Sequence, residues 1–186
     1  MKRILLYVLT IFMTGCSPDK QLLRQNVEHF RADGGVYLLY DIQRDKITDK
    51  QVVSFDLRQM YQPDFSKIGI NKRITAEQLL REYVGKIKNN ADVRYFLRQN
   101  VLSGEAKKVN IQDVDVSGLT ATTSKNQTEE VMTTFLGHYV MGGKTYALLV
   151  ILDNPKPLKE TYGFRSAGWN VVISARELIT ALTSGK

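Results

Sequence analysis

The residues able to do chemistry are few and poorly partnered. His29 and His138 are the only histidines, and neither has a Cys, His or carboxylate partner at a metal-ligand spacing, so no metal centre is expected. The acidic pair Glu129-Glu130 has no histidine beside it and reads as a solvated rim. No serine is marked as a nucleophile by its neighbours: Ser54 and Ser103, for example, each lack a lysine or histidine at a diagnostic spacing. Met141-Gly-Gly-Lys144 lacks the remainder of a phosphate-binding loop and suits a hairpin turn, and Gly34-Gly35 lead into an apolar stretch instead of leaving one. No cofactor is expected.

Cys16 is the only cysteine, which excludes disulfides and thiol catalysis from everything after it. It follows the basic start Lys2-Arg3, an apolar run from Ile4 to Met13, and the small residues Thr14 and Gly15. That run is too short to span a bilayer. Met13-Thr14-Gly15-Cys16 resembles a bacterial lipobox, with methionine where leucine is more usual. The resemblance implies a signal peptide over 1–15, a lipidated linker over 16–19 and a single domain over 20–186, held at a membrane by acyl chains on Cys16 and facing the periplasm. Ser17 resembles the residue that follows the cysteine in lipoproteins of the outer membrane, which is favoured over the inner one.

With 186 residues, 43% hydrophobic and 24% charged, the chain suits one domain with its own core. Its formal net charge of +7 would shrink when cleavage removed Lys2 and Arg3, and the remaining excess suits anionic headgroups or wall polymer. Lysines and arginines are scattered and mostly near acids, without the basic cluster and interleaved aromatics that a nucleic-acid partner requires; none is expected.

The elements that must position any site follow from apolar periodicity. Leu22, Leu23, Val27 and Phe30 fall near one face of a helix over 20–30, stopped by Gly34-Gly35. Gly35–Ile42 and Gln51–Leu57 read as two strands joined by the polar stretch 43–50. Thr75 is a candidate N-cap for a helix striped with Leu79, Leu80, Tyr83 and Ile87, and Asp92–Leu102 is a second helix closed by Ser103-Gly104. Strand chemistry resumes through Val114, Val116 and Leu119. The segments 130–140 and 144–153 then flank the glycine turn, the second apolar enough to be buried on both faces. Val171, Ala175, Leu178, Ile179 and Leu182 mark a last helix over 167–182, with Trp169 expected to anchor the core at its start. The expected fold is α+β: a mainly antiparallel sheet of about five strands flanked by N- and C-terminal helices.

The stretch Tyr146–Val172, YALLVILDNPKPLKETYGFRSAGWNVV, resembles the last strand, connection and C-terminal helix start of class B penicillin-binding proteins, the cell-wall transpeptidases of septation. The matching positions are Asp153, Pro155, Lys156, Glu160 to Gly163 and Ala167 to Asn170. Upstream, Val101, Gly104, Ala106, Val116, Gly118, Thr120, Thr122 and Lys125 resemble the family's approach to its third strand, where it writes Lys-Thr-Gly-Thr. More weakly, the stretches after Gly34 and around Gln62–Phe65 resemble its first hairpin.

The departures from that pattern bear on activity. Acyl transfer in the family needs Ser-x-x-Lys, a spacing that puts nucleophile and base on one helical face. Here the only such spacing is Ser17 to Lys20, beside the lipid site and interrupted by Pro18. The helical subdomain that carries the nucleophile is reduced to residues 58–92, and Ser124-Lys-Asn126 follows the third strand instead of preceding it. Leu119 stands where the family has lysine and Ala121 where it has glycine; only Thr120 and Thr122 persist. These four form a vestigial substrate strand, and no catalytic residue is assigned. The resemblance, so broken, implies a pseudoenzyme: a membrane-anchored binding or scaffold module of cell-wall and division machinery. Its expected partners are peptidoglycan stem peptide or a cell-wall synthase, with residual transpeptidase or carboxypeptidase activity as the alternative.

Overall fold

A computed structural model describes residues 19–125 and 128–184. Cys16, Ser17 and Asn126 lie outside the described residues. In chain order the elements are α1 (Asp19–His29), β1 (Gly34–Asp41), β2 (Lys46–Val53), α2 (Ala76–Asn89), α3 (Ala91–Leu102), β3 (Val116–Ser124), β4 (Val131–Met141), β5 (Lys144–Asp153) and α4 (Val171–Ser184). Single helical turns at Ser66–Ile68, Lys107–Val109 and Ala167–Trp169 punctuate the connections.

The strands form one antiparallel sheet in the order β2-β1-β5-β4-β3. As its apolar run requires, β5 is central, and every residue from Ala147 to Asp153 is buried. Side chains alternate between two cores. Leu38, Leu149, Ile151, Leu136 and Leu119 face α2, whereas Tyr37, Leu148, Val150, Phe135 and Val116 face α1 and α4. The helices at the two ends of the domain therefore share one face, joined by a hydrogen bond of 2.8 Å from Ser174 Oγ to Asn26 Oδ1.

Local chemistry accounts for the boundaries. Thr75 and Gln78 form a reciprocal capping box at the start of α2, and Asn90 accepts from Val93 N at the start of α3. Gly142 (φ 57°) and Gly143 (φ 73°) are both left-handed, as a two-residue hairpin turn needs. One expectation is corrected: the second strand runs over Lys46–Val53, not Gln51–Leu57. As an outer strand β2 alternates exposed and half-buried positions, so its polar half, KITDK, pairs with β1 as readily as its apolar half. The turn after β5 is clamped by ion pairs of Lys125 with Asp153 at 2.8 Å and of Lys156 with Asp33 at 3.3 Å.

Between α2 and β4, the Tyr83 hydroxyl and His138 Nδ1 are hydrogen-bonded at 2.8 Å. Burial, aided by Arg94 and opposed by Asp115, pushes the His138 imidazole down from 6.5 to about 4. The folded protein thus keeps a neutral ring in a pH range where the unfolded chain binds a proton, so stability is full above the unfolded value and falls below it. Urea unfolding at pH 7.5 and 4.5 is expected to differ by on the order of 2–3 kcal/mol from this group. His138→Gln should remove that share of the slope.

Candidate binding cleft

The edge strand β3 carries the four residues singled out from the sequence. Antiparallel pairing turns the odd-numbered residues Ser117, Leu119 and Ala121 toward β4, consistent with Val140 N donating to Asp115 O at 3.1 Å. The backbone groups of Val116, Gly118, Thr120 and Thr122 therefore point outward. α3 covers the first half of this row: Arg98 Nη1 donates to Val116 O at 2.6 Å and Asn100 Nδ2 to Gly118 O at 2.9 Å. Neither clip reaches Thr120 or Thr122, so the exposed part of the edge begins where α3 ends.

Glycine is needed at 118 for space. It pairs with Gly137 on β4, and the Phe135 ring lies across both. A Cβ at Gly118 would stand 2.8 Å from Phe135 Cζ and 2.9 Å from Leu136 O.

A cleft of about 990 Å³ opens in front of Thr120 and Thr122. One wall is the C-terminal half of α3 with the turn at Lys107-Lys108, a second is Asp64–Lys67, and a third is Ser166–Trp169. Lys67 Nζ lies 6.0 Å from the Phe96 ring centroid, and Lys108 Nζ sits 3.2 Å from that of Trp169. Burial, and then the neighbouring Lys107 charge, hold the Lys108 ammonium below its usual range. Thr122 Oγ1 accepts from Ala167 N at 2.9 Å and ties the Trp169 wall to the strand. Among the described residues, no group of three His, Cys, Asp or Glu side chains is placed to hold a metal ion.

All four strand residues line the cleft, but unequally. Leu119 is 5% exposed and belongs to the core on the α2 face, so it projects no charge into the cleft. Thr120 is half-buried and Thr122 exposed. Ser103 also lines the cleft, its hydroxyl donating to Gln99 O at 3.3 Å; Ser54, beyond the end of β2, is not among the lining residues. Trp169 is a second correction. It is half-buried and walls the cleft instead of anchoring the core, because its face is taken by Lys108. Lys67 and the pair Lys107-Lys108 carry no local mark in the sequence beyond basic residues near glycines, which surface loops share, and Ser66 carries none.

Several solved structures share this architecture. The transpeptidase domain of the FtsI4 D,D-transpeptidase from Legionella pneumophila superposes with a TM-score of 0.73 at 15% identity, over 88% of this chain and 94% of that one. The fold is that of the penicillin-binding transpeptidase domains. The apo TP domain of penicillin-binding protein 3 from Burkholderia pseudomallei gives 0.59 at 12% identity, over 88% and 92% of the two chains. A peptidoglycan glycosyltransferase from Burkholderia ambifaria gives 0.55 at 11% identity, over 87% and 93%. No protein-family model and no curated protein matches the sequence. No helix among the described residues of this transpeptidase-like domain is long and apolar enough to cross a membrane.

Gly118→Ala is expected to destabilise the domain by about 1–3 kcal/mol in chemical denaturation, through the clash with Phe135 and Leu136. Asn100→Ala should cost about 1 kcal/mol. It should also speed amide exchange along the outer edge of β3, which its side chain no longer covers.

Proposed function

We propose that this chain is a non-catalytic module on a transpeptidase-like sheet, which binds the stem peptide of peptidoglycan along the outer edge of β3. The observation that carries this reading is the row of outward backbone groups at Thr120 and Thr122, facing a large cleft at the point where Arg98 and Asn100 stop covering the strand. An extended peptide entering there adds a strand to the sheet, and pockets on either side read its side chains. Lys67, Lys107 and Lys108 outnumber Asp64 and Glu105 in the lining of the cleft and favour a ligand with carboxylates.

The absence of catalysis is supported by the chemistry of the same cleft. Leu119 is buried apolar bulk where an extended lysine would offer charge, and no serine among the described residues stands three positions before a lysine. The hydroxyl of Ser103 is engaged with a backbone carbonyl. A lipid on Cys16 would tether the module to a membrane, the outer one favoured, where it serves cell-wall or division machinery as a binding or scaffold unit.

Titration of the isotope-labelled chain with soluble stem peptide is expected to shift the amides of Thr120 and Thr122 saturably. Thr120→Pro tests the mode. It removes one outward N–H that no strand partner uses, a change an edge strand tolerates, and should weaken binding by about tenfold with little loss of stability. Silence of these amides would direct the search to a protein partner such as a cell-wall synthase. The presence of Ser103 in the cleft favours residual acyl transfer as the second reading. Intact-mass measurement after incubation with a β-lactam separates the two: an unchanged mass supports the binding module, and a covalent adduct overturns it.

A further inference from the structure

Beside the cleft, the connection between β5 and α4 sets three aromatic rings together. Phe164 and Trp169 stack with centroids 5.5 Å apart at 20°, and Tyr162 meets Trp169 edge-on at 5.4 Å and 75°. Tyr162 is 78% exposed and Phe164 54%, two of the largest apolar side chains left open to solvent among the described residues. Scattered exposed rings need no explanation, but adjacent ones held in a fixed geometry do.

The backbone places them there at a cost. Tyr162 has φ 51° and is followed by Gly163 at φ 77°. An aromatic residue in the left-handed region is strained, which asparagine or glycine would largely avoid. The turn is closed by Gly163 N donating to Leu158 O at 3.0 Å, and by the Thr161 hydroxyl in contact with Leu158 N and O, each at 3.0 Å. The rings are thus presented outward by a hydrogen-bonded turn.

We propose that Tyr162, Phe164 and Trp169 form an aromatic shelf, a carbohydrate subsite that takes a pyranose ring of the glycan to which the bound peptide is attached. The proposal rests on the reading of the cleft as a stem-peptide site and extends its ligand from free peptide to glycan-linked peptide. Trp169 belongs to both regions: it walls the cleft, and it carries the ring stack. Lys108 on its face fixes the indole and leaves the outer surfaces of Phe164 and Tyr162 for a ligand. The polarised C–H face of a sugar ring packs on aromatic faces, while its hydroxyl and acetamido groups need polar partners at the rim. Lys159 and Glu160 precede the rings in sequence, both exposed, and supply a donor and acceptors, whereas Arg165 Nη2 already donates to Glu129 O at 2.6 Å. A wholly apolar partner would bury those charges without compensation.

The test compares three probes with the full chain: the stem peptide alone, the same peptide on its N-acetylated disaccharide, and the disaccharide without peptide. Trp169 is the only tryptophan and reports occupancy of the shelf by fluorescence; the Thr120 and Thr122 amides report the cleft. The disaccharide-bearing peptide is expected to bind about fivefold more tightly than the free peptide. The double substitution Tyr162→Ala, Phe164→Ala should remove that advantage, and Phe164→Tyr should keep it. Equal affinity of the two peptides for the unmodified chain, or an advantage that survives the double substitution, overturns the subsite. If the disaccharide perturbs Trp169 while the stem peptide leaves Thr120 silent, the shelf stands and the peptide reading of the cleft fails. If anionic phospholipid vesicles perturb Trp169 and the disaccharide does not, the shelf faces lipid and the proposal is overturned.

Discussion

The burial of β5 on both faces is the constraint on which the rest of the domain depends. Its seven residues from Ala147 to Asp153 send side chains alternately into two cores and hydrogen-bond β1 on one side and β4 on the other. With that strand central, α1 and α4 share one face and α2 covers the other. The two outermost positions fall to β2 and β3, the strands with the most polar residues. Antiparallel sheets manage such edges by charge or by covering them. β2 takes the first course with Lys46, Asp49 and Lys50, and β3 takes the second, but only as far as Gly118.

That partial cover is what leaves the cleft open along Thr120 and Thr122. α3 could end earlier and leave the whole strand open, or run further and close it. Instead Ser103-Gly104 stop the helix, and the chain turns away at Lys107–Val109. The tight approach of Asn100 to Gly104 leaves no room for a side chain at the stop. The cleft is therefore a consequence of where a helix terminates beside an edge strand, and two of its lysines, Lys107 and Lys108, come from the turn that follows.

Much of this was legible in the sequence where periodicity and special residues agree. The unbroken apolar run of β5, the Gly142-Gly143 turn and the Thr75 cap each announce one structure and adopt it. Legibility failed where position in the sheet overrides composition: Lys46–Lys50 reads as a loop but forms a strand because β1 offers a ladder and solvent accepts the side chains. It failed again at Trp169, whose apolar neighbours suggest a core residue but whose indole is held at the cleft by Lys108, a contact between positions far apart in the chain. The strand Leu119–Thr122 could be located from a motif, yet that only its second half is open depends on Arg98 and Asn100, which no local pattern marks.

The central claim is that a peptide strand pairs with the free half of β3, and amide hydrogen exchange tests it most directly. With saturating stem peptide, exchange at Thr120 and Thr122 should slow together while Val116, already under α3, stays unchanged. Unaltered exchange at both threonines under conditions where the peptide is bound would contradict strand pairing at this edge.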